Sequence, residues 1–196
     1  MAGCTLCTSK KVTCPAFNEP AFAQWFPYQE NSRLVFKNSI TADTFSYTVS
    51  TLSFSAAFET TRGGFENKDY PCEASAYITS SNYDNSSYGT LGINYTIVEN
   101  TAKELTLRFN NAAWKTGEIM DTGFVPSVNT GTAIITAVSS VQNLLFDNGI
   151  NYQQIVVLTT DTVANKTDRA YKLFIAKNIG IIGCEMYPSR QKWVIQ

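Results

Sequence analysis

The chain contains no histidine among its 196 residues. Without imidazole, Ser-His-Asp and Cys-His nucleophile pairs, histidine proton shuttles and most zinc sites are excluded. Charge is also scarce. Asp, Glu, Lys and Arg make up 16% of the residues, against about 25% in an average soluble domain. The formal net charge is −1, so there is no basic footprint for a nucleic acid. No apolar run approaches the ~18 residues of a membrane-spanning helix. Neither a sustained helical period, a βαβ rhythm nor an internal repeat of fixed length is present. The acidic residues Glu59, Glu66, Asp69, Glu73, Asp84, Asp121, Asp161 and Asp168 are scattered. They form no recognisable glycosidase pair, and Asp161 to Asp168 lacks the alternating spacing of a calcium loop. The sequence thus presents no catalytic residues, no metal ligands and no cofactor motif, and it reads as non-enzymatic.

What is abundant is aromatic and hydroxylic. Phe, Tyr and Trp reach 13%, and Ser, Thr and Asn supply the polarity that charge does not. That balance favours strands with a hydroxyl-rich outer face over Glu/Lys-rich amphipathic helices. A period of two runs through the chain. Leu34 and Phe36 alternate with polar neighbours, then Phe45, Tyr47 and Val49. Leu52, Phe54, Ala56 and Phe58 continue one residue out of phase, which predicts a bulge or turn near Ser50-Thr51. Ala74, Ala76 and Ile78 form a further strand, and Leu91 to Ile97 with Leu105 to Phe109 form a hairpin. Residues 111–131 are irregular and read as a long loop carrying Trp114. Strands return at Ile134 to Val138, Ile155 to Leu158, Tyr171 to Ile175, Ile179 to Cys184 and Trp193 to Ile195. Val141 to Phe146 fits a strand or a helical turn. Asp147-Asn148-Gly149 and Pro188-Ser189 are turns.

Asn18-Glu19-Pro20 opens a short helix to about Trp25, capped by Asn18 or Glu19, with proline tolerated in the first turn. The expected fold is all-β: an antiparallel meander forming an open sandwich or half-barrel, with one short N-terminal helix. One β-rich domain spans 14–196, and 1–13 is a flexible tether.

The first residues carry the clearest locational signal. Ala2-Gly3-Cys4 is followed by a polar, basic run containing Lys10 and Lys11, and then by Cys14-Pro15-Ala16-Phe17. Small residues before a cysteine resemble the mature start of a bacterial lipoprotein, with Cys4 as the lipidation site. The alternative is an expression scar that happens to read Ala-Gly-Cys. Of the remaining cysteines, Cys14 and Cys72 are a candidate disulfide pinning the tether to the domain. Alternatively, Cys72 and Cys184 are small buried apolar residues, which suits Cys184 best.

Cys14-Pro15-Ala16-Phe17, Trp25-Phe26-Pro27-Tyr28 and Leu34 to Ser39, with the ending Tyr171 to Phe174, Ile175-Ala176-Lys177-Asn178-Ile179-Gly180 and Trp193, resemble small uncharacterised outer-membrane lipoproteins of Bacteroidetes-type bacteria. Asn178 stands where that group has glycine, which implies a left-handed Asn in a tight turn. The resemblance carries no activity and no catalytic residues. It implies outer-membrane localisation through an N-terminal lipid, facing either the periplasm or the cell surface, and a protein partner there.

Four further residues are singled out. Trp114 is the candidate exposed aromatic, whereas Trp25 and Trp193 close the ends of the core. Tyr83 and Tyr88 flank Asn85-Ser86-Ser87, a composition suited to adaptable contact, or simply to a solvated hairpin tip. Thr162, within Asp161-Thr162-Val163, is a candidate O-glycan acceptor. The functional expectation is a non-catalytic binding or accessory lipoprotein of an outer-membrane complex. The alternatives are a structural subunit of a surface assembly and, further off, a lipid or glycan carrier or a hydrolase.

Overall fold

The computed structural model describes residues 17, 19–55, 73–81, 89–98, 102–127, 136–146, 149–160 and 168–196. Among these residues one helix, α1 (Pro20–Trp25), precedes thirteen strands. These are β1 (Arg33–Asn38), β2 (Thr44–Ser55), β3 (Glu73–Ser81), β4 (Gly92–Val98), β5 (Ala102–Phe109), β6 (Ala112–Met120) and β7 (Gly123–Pro126), followed by β8 (Ala137–Val138), β9 (Gln142–Leu145), β10 (Asn151–Thr159), β11 (Arg169–Ala176), β12 (Gly180–Tyr187) and β13 (Lys192–Ile195). Every pairing is antiparallel. The order is β7-β6-β5-β4-β3-β2-β1-β13-β12-β11-β10-β8, with β9 also on β10. The chain thus meanders one way from β1 to β7, and the C-terminal strand zips onto the first. The single sheet curls into a nearly closed barrel with α1 at one end, as the alternation predicts.

Among the described residues, β7 and β8 share no ladder, and the seam is closed by side chains. A Cβ at Gly123 would lie 3.1 Å from Val141 Cγ2 and 3.6 Å from Val156 Cγ2. The Lys115 N–H donates to Thr136 Oγ1 at 3.1 Å.

The inward phase of each strand fills the barrel. Phe36, Tyr47, Val49, Ala76, Ile78, Ile93, Tyr95, Leu105, Leu107, Phe109 and Trp114 are completely buried. Aromatic rings interlock at one end, with Phe36 against Phe45 at 5.2 Å and Phe45 against Trp193 at 4.9 Å between centroids. The strands β10 to β12 are apolar on both faces, and the reason is visible outside the barrel. Phe146, Tyr152, Ile155, Phe174, Ala176, Ile182 and Val194 form a second cluster beneath the β9–β10 hairpin. The phase change expected near Ser50-Thr51 is a register shift between Val49 and Thr51 on the β2–β3 ladder.

Curvature brings further irregularities, and three buried tyrosines answer them. The β6–β7 register shifts between Thr116 and Ile119, and the Ile119 N–H donates to Tyr95 Oη at 3.2 Å. The β11–β12 register shifts between Phe174 and Ile175, where Ile175 pairs with Ile181. The Ile181 N–H donates to Tyr28 Oη at 2.6 Å. At the β5–β6 turn the Asn110 N–H donates to Tyr47 Oη at 3.3 Å. Each hydroxyl occupies a backbone donor that water cannot reach. Burial pushes all three phenols above their ordinary range.

The helix is a plug. Phe22 stacks on Tyr95 at 5.9 Å. Trp25 Nε1 donates to the Met120 carbonyl at 2.9 Å. The Asn178 N–H donates to the Gln24 carbonyl at 2.6 Å. Asn178 has φ 63°, the left-handed turn expected for it. The Lys177 ammonium contacts Asp121 across the same end.

Three expectations are corrected. Glu19 occupies the N-cap position but makes no capping hydrogen bond; its carboxylate faces Lys103 Nζ at 3.4 Å instead. The loop expected over residues 111–131 is the strand pair β6–β7 in its described part. Asn110 and Asn111 have φ 46° and 58°, a two-residue hairpin turn that asparagine adopts without glycine. Gly117, Gly123 and Pro126 interrupt the alternation and hide the strands, because they serve bulge, seam and edge. Trp114 is therefore an inward core residue with 0% exposure, not an exposed aromatic.

Removing the Tyr95 or Tyr28 hydroxyl strands a buried N–H, so Tyr95→Phe and Tyr28→Phe should each cost about 1–3 kcal/mol. Unchanged urea midpoints would contradict that role. Trp193→Ala should cost about 3–5 kcal/mol, as large core truncations do, read from the same unfolding curves.

Candidate functional site

The phase that fills the barrel also decides what remains outside. On β2 to β6 the outward residues form cross-strand rows. Ser53, Tyr77, Asn94, Thr106 and Lys115 are successive register partners. One row toward the helix end lie Ser55, Ser75, Thr96 and Glu104; on the other side lie Thr51, Thr79, Gly92, Arg108 and Ala113. At about 4.8 Å per strand, the central row is about 19 Å wide. This wall is hydroxyl and amide chemistry on a rigid support.

Its internal bonds are few. Ser55 Oγ and Ser75 Oγ are 2.7 Å apart. Lys115 Nζ donates to Glu104 Oε1 at 3.1 Å. Among the described residues, the Tyr77 side chain makes no ring contact or hydrogen bond, and the residue is 45% exposed. Arg108 is exposed and has no acidic partner among them. Between them stands Gly92, whose added Cβ would meet only Arg108 Cβ, at 3.7 Å. The missing side chain leaves a shallow notch bordered by Thr79, Tyr77, Asn94 and Arg108.

A second polar cluster sits at the barrel end opposite α1. Tyr171 Oη donates to Glu185 Oε1, and Arg190 Nη1 donates to Tyr171 Oη. Lys172 Nζ reaches Glu185 Oε2 at 3.3 Å, and Arg190 Nη1 lies 3.5 Å from Oε1. The Arg190 guanidinium lies over the rings of Tyr171 and Tyr187, at 5.0 and 5.1 Å from their centroids. Desolvation works to raise the Glu185 pKa. The Tyr171 hydrogen bond and the Lys172 and Arg190 charges outweigh it and hold the carboxyl below its ordinary range. Desolvation and the Glu185 hydrogen bond raise the Tyr171 phenol. Tyr171, Glu185 and Arg190 bind one another and Lys172 joins at Glu185, so this cluster acts as a clasp between β11, β12 and the turn after it.

Among the described residues no group of three His, Cys, Asp or Glu side chains is placed to hold a metal ion, and no helix is long and apolar enough to cross a membrane. Of the residues singled out in the sequence, Cys4, Cys14, Cys72, Tyr83, Tyr88 and Thr162 lie outside the described residues. Cys184 is a buried free thiol whose pKa burial pushes up. Trp114 faces inward, and its Nε1 has no hydrogen-bond partner among the described residues. Tyr77, Gly92 and Arg108 escaped the sequence reading. The usable signal was the polar phase between buried residues, in which Tyr77 is the one aromatic of the three rows.

Comparison with protein-family models, with curated proteins and with solved structures finds no match to the chain.

The Glu185 clasp predicts a specific acid sensitivity. A carboxyl held below its unfolded pKa contributes stability that is present above the unfolded value, near 4.5, and lost as pH falls through the folded one. Tyr171→Phe removes the hydrogen bond that helps hold it low. The Tm gap between wild type and Tyr171→Phe should therefore shrink as pH is lowered from 7 to 3. A gap of constant size across that range would contradict the assignment.

Proposed function

We propose that the protein is a non-catalytic binding or accessory module, held to the outer membrane through lipid on Cys4. The observation that carries this reading is the division of labour in the barrel. The interior is occupied by Trp25, Trp114, Tyr47, Tyr95, Phe22, Phe36 and Phe109, all essentially inaccessible. A small barrel filled by its own side chains offers its outer surface and loops for recognition. The outer wall of β2–β6 is rich in hydroxyl and amide groups and carries an open tyrosine and an arginine without an acidic partner among the described residues, which suits contact chemistry.

The lipid anchor is supported by the run Ala2-Gly3-Cys4 and the basic residues that follow. Several acyl chains on one cysteine, at roughly 0.8 kcal/mol per buried CH₂, exceed what one reversible chain provides. A structural subunit that polymerises through its sheet edges is the weaker reading. The edge strands β7, β8 and β9 are four, two and four residues long, and short edges are how natural sheets avoid edge-to-edge pairing.

Cys4→Ser in the full precursor should move the protein from the membrane to the soluble fraction. Retention in the membrane pellet would remove the anchor from the reading. Pull-down of the wild-type chain from native membranes in mild detergent should recover a defined outer-membrane component at constant stoichiometry. Recovery of the bait alone would count against the accessory role.

A further inference from the structure

The geometry points to an acidic polysaccharide as the ligand of the outer wall, seated with one sugar ring on Tyr77 and a uronate carboxylate on Arg108. This inference rests on reading the barrel as a binding module and names the chemistry that it binds.

Three features select that ligand class. The first is the aromatic. Tyr77 has a half-open ring face, and the negative face of an aromatic ring attracts the polarised C–H groups on one side of a pyranose. The second is the surrounding composition. Ser53, Thr79, Asn94, Thr96 and Thr106 offer donors and acceptors in a fixed lattice, matching an array of sugar hydroxyls. A protein partner would want a larger apolar centre. A nucleic acid would want several cations along a backbone path.

The third is charge. The only other charges on the three rows are Glu104 and Lys115, which satisfy one another at 3.1 Å. Among the described residues nothing occupies the Arg108 guanidinium fork, and that fork fits a carboxylate with two parallel hydrogen bonds. From Tyr77 to Arg108 is two strands across and two residues along, about 12 Å between Cα atoms. Two linked pyranose rings span that distance. The line between them crosses β4 between Gly92 and Asn94, so the notch at Gly92 gives the saccharide room beside Arg108 while the Asn94 amide stands on its other side. The twist of the sheet lets a linear polymer continue along the rows.

Affinity gel electrophoresis of the full chain tests this, with polygalacturonate or uncharged dextran cast in the gel. Wild-type protein should be retarded by polygalacturonate and not by dextran, and the retardation should weaken as salt rises. Tyr77→Ala should weaken it by about fivefold, the scale of one lost ring contact. Arg108→Gln should weaken it and abolish its salt dependence. Gly92→Val fills the notch with a strand-favouring residue at a position with room for Cβ, so it should block binding while leaving the Tm at or above wild type. No retardation of wild-type protein, or equal retardation by dextran, overturns the inference. So does retardation that all three variants retain. Those results leave the binding-module reading to the membrane pull-down, which does not depend on this face.

Discussion

Curling one antiparallel sheet until its ends nearly meet brings register shifts and tight turns, and some of these strand a buried backbone donor. The fold depends on answering those donors from inside. Tyr28, Tyr47 and Tyr95 do so, reaching Ile181, Asn110 and Ile119. A phenol suits the task because its ring fills barrel volume while its oxygen sits at the end of a rigid arm. Phenylalanine would pack and leave the amide orphaned; serine would satisfy the amide and leave a void. Three of the chain's ten tyrosines thus complete backbone hydrogen bonding as well as filling the barrel.

The same sheet presents two kinds of outer surface. Over β10 to β13 the outer face is apolar and lies beneath the β9–β10 hairpin, with Phe146 against Phe174 at 4.9 Å. Gly183 lets Phe146 come close, since a Cβ there would lie 2.8 Å from its ring. Over β2 to β6 the outer face keeps its polar phase. Among the described residues, the β10–β13 part of the wall is therefore covered by the hairpin, and the β2–β6 part presents polar side chains. The plug helix and the Lys177–Asp121 contact lock one end, and the Tyr171–Glu185–Arg190 clasp locks the other.

Legibility followed the alternation. Where strands kept a clean period of two, as at Leu91 to Ile97, the inward phase agrees, and the strand itself is shifted by one residue, to Gly92–Val98. The out-of-phase run after Val49 announced a bulge, and a register shift stands there. Where function of the backbone intruded, the pattern blurred. Gly117 at a bulge, Gly123 at the seam and the Asn110-Asn111 turn made β6 and β7 look like loop, and that error carried Trp114 to the surface. The candidate site was hidden for a different reason. Tyr77, Gly92 and Arg108 lie 15 and 16 residues apart in sequence, and nothing local marks them as neighbours.

The residues alone determined the class of the fold: alternation, scarce charge and abundant hydroxyls fix an antiparallel sheet with a polar outer face, because side-chain period and strand geometry are the same fact. They also determined the absence of imidazole chemistry. The tertiary structure decided everything that depends on register. Which strand neighbours which, where the donors are orphaned, which face is covered, and which tyrosine meets which arginine are set by pairing across distant segments. A one-residue slip in that pairing would leave the composition untouched and exchange the core for the surface.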